Sequence, residues 1–135
     1  MSQVLRAGNI KLKRAYEPVG TDDGRRILVD RLWPRGLKKT DAAIDHWIKD
    51  IAPSTELRLW FGHDPDRWQE FRQRYIEELR QQKEQIRFLR TLARNERITL
   101  IFSASDTLRN NAVVLRAFLL RRHPNISDTK TVPEI

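Results

Sequence analysis

The sequence has no cysteine, and its three histidines, His46, His63 and His123, are scattered along the chain. The absence of cysteine excludes a disulfide framework, a thiolate zinc site and a cysteine nucleophile, and it is compatible with a reducing compartment. The spacing of the histidines matches no metal-binding motif. We therefore predict no metal site, and no residue pattern identifies a cofactor.

Long apolar runs are missing as well. No stretch approaches the roughly 20 apolar residues of a membrane helix, and the first six residues lack the apolar region of a signal peptide. We expect a soluble protein of the bacterial cytoplasm with no membrane partner. The sequence leaves the oligomeric state open.

The length of 135 residues and the hydrophobic content of 39% suit one domain with its own core. We expect this domain over residues 1–123. Residues 124–135 are polar and contain Pro133, so we expect a loosely ordered C-terminal tail there.

Three segments have the composition of β-strands. Residues 10–16 alternate apolar and basic side chains, residues 26–30 are largely apolar, and residues 98–102 are apolar and uncharged. Residues 42–52 are ambiguous, because their apolar side chains would also fit one face of a helix.

Several segments carry helical signals. Ser54 and Asp64 are candidate N-caps, and a helical face follows Asp64, formed by Trp68, Phe71, Tyr75 and Leu79. The pattern resumes over residues 86–93, and a last apolar helix should end at His123-Pro124. Strands alternating with helices predict an α/β fold, a single layered domain with a mainly parallel sheet flanked by helices.

Polar side chains cluster after two of the predicted strands, where parallel sheets collect ligands. In the first cluster, Arg31 and Arg35 could grip a phosphate or carboxylate, and Trp33 could stack on a base or bind a cation. The alternative is structural: Asp30 would pair with Arg31 or Arg35, and Trp33 would pack in the core.

The second cluster follows residue 102. Ser103 and Asn110 could donate hydrogen bonds to an anion, and Asp106, like Asp30, could orient groups or act as a base. The alternative is ordinary capping of the last helix by Ser105 or Asp106.

The net charge of +8 adds a second hypothesis. A basic surface attracts polyanions, and arginines recur over residues 67–97, so a nucleic-acid-binding module is possible. Interleaved glutamates favour a solvated face with salt bridges instead. A third hypothesis is a protein-interaction domain that uses exposed aromatic residues such as Trp60 and Phe61.

The sequence resembles the YeaO-like family of small bacterial proteins, a domain-of-unknown-function family. The most specific matching block is Val29-Asp30-Arg31-Leu32-Trp33-Pro34-Arg35-Gly36. Other matching pieces lie at residues 51–58, 71–79, 100–104 and 110–115. The resemblance implies a compact α/β fold with Asp30, Arg31, Arg35, Ser103 and Asn110 on the signature segments. Members often carry histidine where this chain has Asn111, which implies the loss of a possible base here, and some relatives carry transcription-regulator labels.

Together these patterns favour a small anionic-ligand site, for a nucleotide or another phosphorylated compound, where the two clusters meet. Whether the protein is an enzyme stays open. The ligand-binding candidates are Arg31, Trp33, Arg35, Ser103 and Asn110, and the catalytic candidates are Asp30 and Asp106.

Overall fold

The computed structural model describes residues 5–121. Its strands are β1 (Ile10–Arg14), β2 (Arg25–Leu28), β3 (His46–Trp47) and β4 (Ile98–Phe102), and they form one parallel sheet in the order β1-β4-β2-β3. Its helices are α1 (Lys39–Ala42), α2 (Thr55–Phe61), α3 (Trp68–Arg80), α4 (Lys83–Asn95) and α5 (Asn111–Leu120). The predicted α/β fold with a mainly parallel sheet is confirmed. The predicted tail at 124–135 lies outside the described residues.

Strand β4 is the centre of the sheet. It pairs with β1 on one side, where Leu12 is opposite Leu100, and with β2 on the other, where Ile27 is opposite the same residue. All five residues of β4 are buried, which suits a strand that is covered on both faces. The two polar segments that follow β2 and β4 are therefore brought to neighbouring positions at one edge of the sheet.

One face of the sheet carries the main core. Alternate strand residues, among them Ile27, Ile98 and Leu100, pack against buried residues of α2, α3, α4 and α5. The predicted face of α3 is confirmed, because Phe71, Tyr75 and Leu79 are buried and Trp68 packs against the same cluster. Phe61 is also buried in this core, so the expectation that it is an exposed contact residue is wrong.

The helix boundaries follow local chemistry. Ser54 caps α2, since its side chain accepts a hydrogen bond from the Leu57 N–H at 3.1 Å. The Asp64 side chain accepts from the Asp66 N–H at 2.9 Å at the start of a 3₁₀ turn, Pro65–Arg67, which leads into α3. Both predicted caps are confirmed. None of the helices within residues 5–121 combines the length and apolar character of a membrane crossing.

The structure decides a segment that the sequence left ambiguous and corrects both ends of the last helix. Residues 42–52 do not form a helical face: they hold the end of α1, the short strand β3 and a 3₁₀ turn at Lys49–Ile51. The last helix is capped by Asn110, whose Oδ1 accepts from the Val113 N–H at 3.0 Å, and not by Ser105 or Asp106. It ends at Leu120, before His123-Pro124, because Arg121 is extended.

Two of the three arginines of α3 form ion pairs along the helix surface. Arg74 forms an ion pair with Glu70, and Arg80 forms one with Glu77. Such i,i+3 and i,i+4 pairs are typical of a solvated helix face. This part of the arginine-rich surface is therefore the salt-bridged face that the interleaved glutamates predicted.

The second face of the sheet is smaller and holds a buried ion network. Leu28, Ile101 and Ala15 form its apolar part. Beside them Asp23, which is 1% exposed, accepts hydrogen bonds from Lys13 Nζ at 2.8 Å and from Arg26 Nη1 at 2.6 Å.

The segment that carries Asp23 connects β1 to β2 without a helix. Its last residue, Gly24, has φ +65° and approaches the Arg97 carbonyl so closely that a Cβ atom would lie 2.0 Å from that oxygen. Glycine is needed at this position for space as well as for its backbone conformation.

Hydrogen bonds control the ionisation of Asp23. Burial raises the pKa of this carboxyl group, but donors from Lys13, the Gly20 N–H and Arg26 outweigh burial and hold its pKa at about 2, below the ordinary 3.8. Because the folded state prefers the ionised form, the resulting stabilisation is present above about pH 4. It is lost as the pH falls towards 2.

Replacing Asp23 with Asn should lower the free energy of unfolding at neutral pH by about 3–5 kcal/mol, because the buried Arg26 and the partly buried Lys13 would keep their charges without an acidic partner. Urea unfolding at neutral pH and at about pH 3 measures this, and the difference from the wild type should shrink in acid. Asp41→Asn, on the exposed surface of α1, is the control. An equal loss in both variants would contradict this account.

Candidate functional site

The carboxyl ends of β1, β2 and β4 open into one cavity of about 510 Å³. Loops from all three strand ends line it, together with residues 52 and 53, α2, the loop after α2 and α3. The lining residues are Arg14, Tyr16, Asp30, Arg31, Leu32, Trp33, Arg35, Ala52, Pro53, Arg58, Phe61, His63, Phe71, Ser103, Ala104, Ser105, Asn110 and Asn111. This volume is in the range that holds a small-molecule ligand.

The Asp30 carboxylate ties together the elements that form the cavity. Its Oδ2 accepts from the Ser103 backbone N–H at 2.9 Å and from Ser103 Oγ at 2.7 Å. Its Oδ1 accepts from Asn111 Nδ2 at 3.1 Å, and Asn111 Nδ2 also donates to the Val29 carbonyl at 3.0 Å. Asp30 therefore joins the end of β2 to the end of β4 and to the first residue of α5. No ion pair of Asp30 with Arg31 or Arg35 is found within residues 5–121.

Two of the lining arginines are held by backbone carbonyls. Arg14 donates through Nε to the Ala104 carbonyl at 2.8 Å and through Nη2 to the Ser103 carbonyl at 3.2 Å. Arg31 donates to the carbonyls of Pro53 at 3.2 Å and Ala52 at 3.3 Å. Neutral carbonyls fix these guanidinium groups without neutralising their charge.

Two further lining arginines are not held by hydrogen bonds of the described fold. Arg35 and Arg58 are exposed, and within residues 5–121 neither guanidinium forms a hydrogen bond or an ion pair. Asp30 is the one carboxylate among the lining residues that the structure describes. Four arginines against this one carboxylate leave the cavity with a clear excess of positive charge.

Side chains also hold the wall formed by residues 51–54. The buried Tyr75 hydroxyl donates to the Ile51 carbonyl at 2.6 Å. The Glu78 carboxylate accepts from the backbone N–H of Ser54 at 2.8 Å and from its hydroxyl at 2.6 Å. Burial, with the negative charges of Asp30 and Glu78, raises the pKa of Tyr75 well above its ordinary value, so this hydroxyl remains a donor.

Aromatic residues form another part of the cavity. Trp33 donates through Nε1 to the Leu37 carbonyl at 2.6 Å, and its ring meets the Trp47 ring edge-on with centroids 5.5 Å apart. Tyr16 donates its hydroxyl to the Arg35 carbonyl at 2.9 Å. The loop after β2 is thereby connected to β3 and to the loop after β1.

The structure brings together all the residues proposed from sequence except Asp106. Six of them line the cavity: Asp30, Arg31, Trp33, Arg35, Ser103 and Asn110. Asn110 is buried, and both ends of its amide are engaged, because it caps α5 and donates to the Asp106 carbonyl at 2.9 Å.

Asp106 does not line the cavity. Its side chain instead stabilises the loop before α5. Its carboxylate accepts from the backbone N–H groups of Leu108 and Arg109, each at 3.0 Å, and from Arg109 Nε. These donors lower the pKa of Asp106 below its ordinary value.

Sequence reasoning missed Arg14, Arg58 and His63. Arg14 ends β1, so the rule that ligands gather at the carboxyl ends of strands could have included it. Arg58 and His63 lie on α2 and in the loop after it, and nothing in their spacing places them near β2 or β4. Within residues 5–121, no group of three histidine or acidic side chains is arranged to hold a metal ion.

Comparison with known proteins identifies the family. The sequence matches the family described as "Inactive DUF488-N3 subclade" over residues 9–133. The chain belongs to this subclade. The resemblance to YeaO-like proteins is also confirmed, because uncharacterized protein YeaO of Escherichia coli (strain K12) is 48% identical over 111 residues, or 82% of this chain and 96% of that protein.

Relatives from mycobacteria match a similar share of the chain. Uncharacterized proteins Mb3100c of Mycobacterium bovis and Rv3073c of Mycobacterium tuberculosis are each 40% identical over 116 residues, which is 86% of this chain and 98% of theirs. No solved structure matches the chain.

Replacing Asp30 with Asn should lower the free energy of unfolding of this subclade member by about 2–4 kcal/mol. The amide would place its NH₂ group against either Ser103 or Asn111, both of which are donors. Urea unfolding measures the change, with Ser105→Ala as a control in the same cavity, because Ser105 is exposed. A loss for Asp30→Asn no larger than that of Ser105→Ala would contradict a structural role for the carboxylate.

Proposed function

We propose that this chain binds a small anionic ligand, a nucleotide or another phosphorylated compound, in the cavity at the carboxyl ends of β1, β2 and β4. The observation that carries the proposal is that four arginines line the cavity with only one carboxylate among the described lining residues. That carboxylate, Asp30, already accepts three hydrogen bonds from the fold. Arginine suits this task because its planar guanidinium donates two parallel hydrogen bonds to phosphate or carboxylate oxygens.

The four arginines would contribute to anion binding in two different ways. Arg14 and Arg31 are held by backbone carbonyls, so they would supply positive charge at fixed positions and little ordering would be needed on binding. The guanidinium groups of Arg35 and Arg58 keep their donors available within the described chain, so they would make the direct contacts with the anion. The aromatic residues of the cavity would pack against the remainder of the ligand.

We propose binding without turnover. The family description contains the word "inactive", and the two carboxylates proposed as catalytic are both engaged in hydrogen bonds of the fold. Asp30 accepts from Ser103 and Asn111, and Asp106 accepts from its own loop outside the cavity. A general base must lie within reach of the proton that it removes. Asp106 does not line the cavity, and the Asp30 carboxylate already accepts three hydrogen bonds from the fold.

Replacing Arg35 or Arg58 with Ala should weaken the binding of inorganic phosphate or pyrophosphate roughly tenfold to hundredfold, because each replacement removes a charged hydrogen-bond donor from the ligand. Thermal unfolding against ligand concentration measures this, since a ligand that binds only the folded state raises the melting temperature. Without ligand, neither variant should have a lower melting temperature than the wild type, because neither guanidinium forms a hydrogen bond or an ion pair within residues 5–121.

Arg87→Ala is the matched control, because Arg87 is also an exposed arginine but lies on α4 and does not line the cavity. It should bind like the wild type. Equal weakening in all three variants would contradict the proposal. Stabilisation only by oligonucleotides, vanishing in high salt as counterion release requires, would favour a nucleic-acid-binding surface instead.

A further inference from the structure

His63 lies at a defined place in the cavity, although it belongs to neither polar cluster. The turn after α2 holds it there: the Gly62 N–H donates to the Arg58 carbonyl at 3.1 Å and the Asp64 N–H donates to the Phe61 carbonyl at 2.9 Å. His63 itself adopts φ 58°, in the left-handed region that non-glycine residues seldom occupy. Its ring centroid lies 6.0 Å from that of Phe61.

The imidazole of His63 has donors to offer to a ligand. The residue is exposed, and no hydrogen bond or ion pair of this ring is found within residues 5–121. A protonated imidazole donates through both ring nitrogens and carries a full positive charge, whereas a neutral one donates through one nitrogen only. Histidine is also the side chain that changes charge between about pH 5 and pH 8.

From this placement we propose that His63 is a further anion-binding residue of the cavity, and that its contribution depends on its protonation. This inference rests on the proposed function, since it assigns a proton-linked contact to the same site. It predicts that the cavity binds anions more tightly as the pH falls through the range in which histidine titrates.

The charges around His63 make protonation and anion binding mutually dependent. The charged side chains that share the cavity with it are Arg14, Arg31, Arg35, Arg58 and Asp30. On its own loop the neighbouring charge is Asp64, which pairs with Arg67 at 3.8 Å and accepts from the Asp66 N–H. A bound anion offsets the repulsion between these arginines and an imidazolium. By reciprocity, a protonated His63 strengthens anion binding to the same degree.

The test uses sulfate, whose charge is constant over the pH range concerned, at constant ionic strength. For the full chain, sulfate affinity measured by thermal shift should rise about three- to tenfold between about pH 8.5 and about pH 5.5. His63→Asn should remove this rise and bind at the wild-type high-pH level, because asparagine tolerates the left-handed backbone but carries no charge. His63→Lys, which stays charged throughout, should bind with little pH dependence.

His46, which lies outside the cavity, provides the matched control. His46→Asn should keep the pH dependence, because His46 packs against Phe88 with ring centroids 5.4 Å apart and does not line the cavity. If His63→Asn keeps the full pH dependence while Arg35→Ala loses sulfate binding, the role of His63 is overturned and the anion site stands. If sulfate raises the melting temperature of the wild type at no pH, the proposed function itself is overturned.

Discussion

The arrangement of the cavity depends on the Asp30 carboxylate. This one group accepts hydrogen bonds from the backbone and side chain of Ser103 and from the side chain of Asn111. It thereby fixes the loop after β2 against the end of β4 and the start of α5. A carboxylate in this position accepts more hydrogen bonds than a neutral side chain could, and bonds to a charged acceptor are among the stronger ones in proteins. Arg14 donates to carbonyls that follow β4, so its position also depends on the hydrogen bonds between Asp30 and Ser103.

The polar side chains in and around this cavity differ in whether the fold provides them with hydrogen-bond partners. Asn110, Asp106, Tyr75 and Glu78 have their partners within the fold. The guanidinium groups of Arg35 and Arg58 find none among the described residues, although they face a cavity that is already positively charged. Placing unpaired cations near one another is electrostatically unfavourable, so an anion in this space would relieve repulsion as well as form hydrogen bonds.

Much of this arrangement could be predicted from sequence because it follows from strong local patterns. An uncharged run at residues 98–102 requires a central strand, and in a parallel sheet the segments after neighbouring strands meet at the same edge. Strand β3 could not be predicted, because it has only two residues and its apolar neighbours also fit a helix. Arg58 was missed because only the tertiary structure brings α2 and the loop after β2 to the same cavity. The cap of α5 was misassigned because Ser105, Asp106 and Asn110 are all good capping types, and only the geometry of the loop selects among them.

The central claim, that anions bind in this cavity and not over the basic surface at large, is tested most directly by NMR of the ¹⁵N-labelled chain during a titration with inorganic phosphate at moderate salt. The account predicts saturable changes in chemical shift concentrated on the loops after β1, β2 and β4 and on the side-chain Nε–H signals of Arg35 and Arg58. Small changes that never saturate, spread over the exposed arginines of α3 and α4, would contradict it.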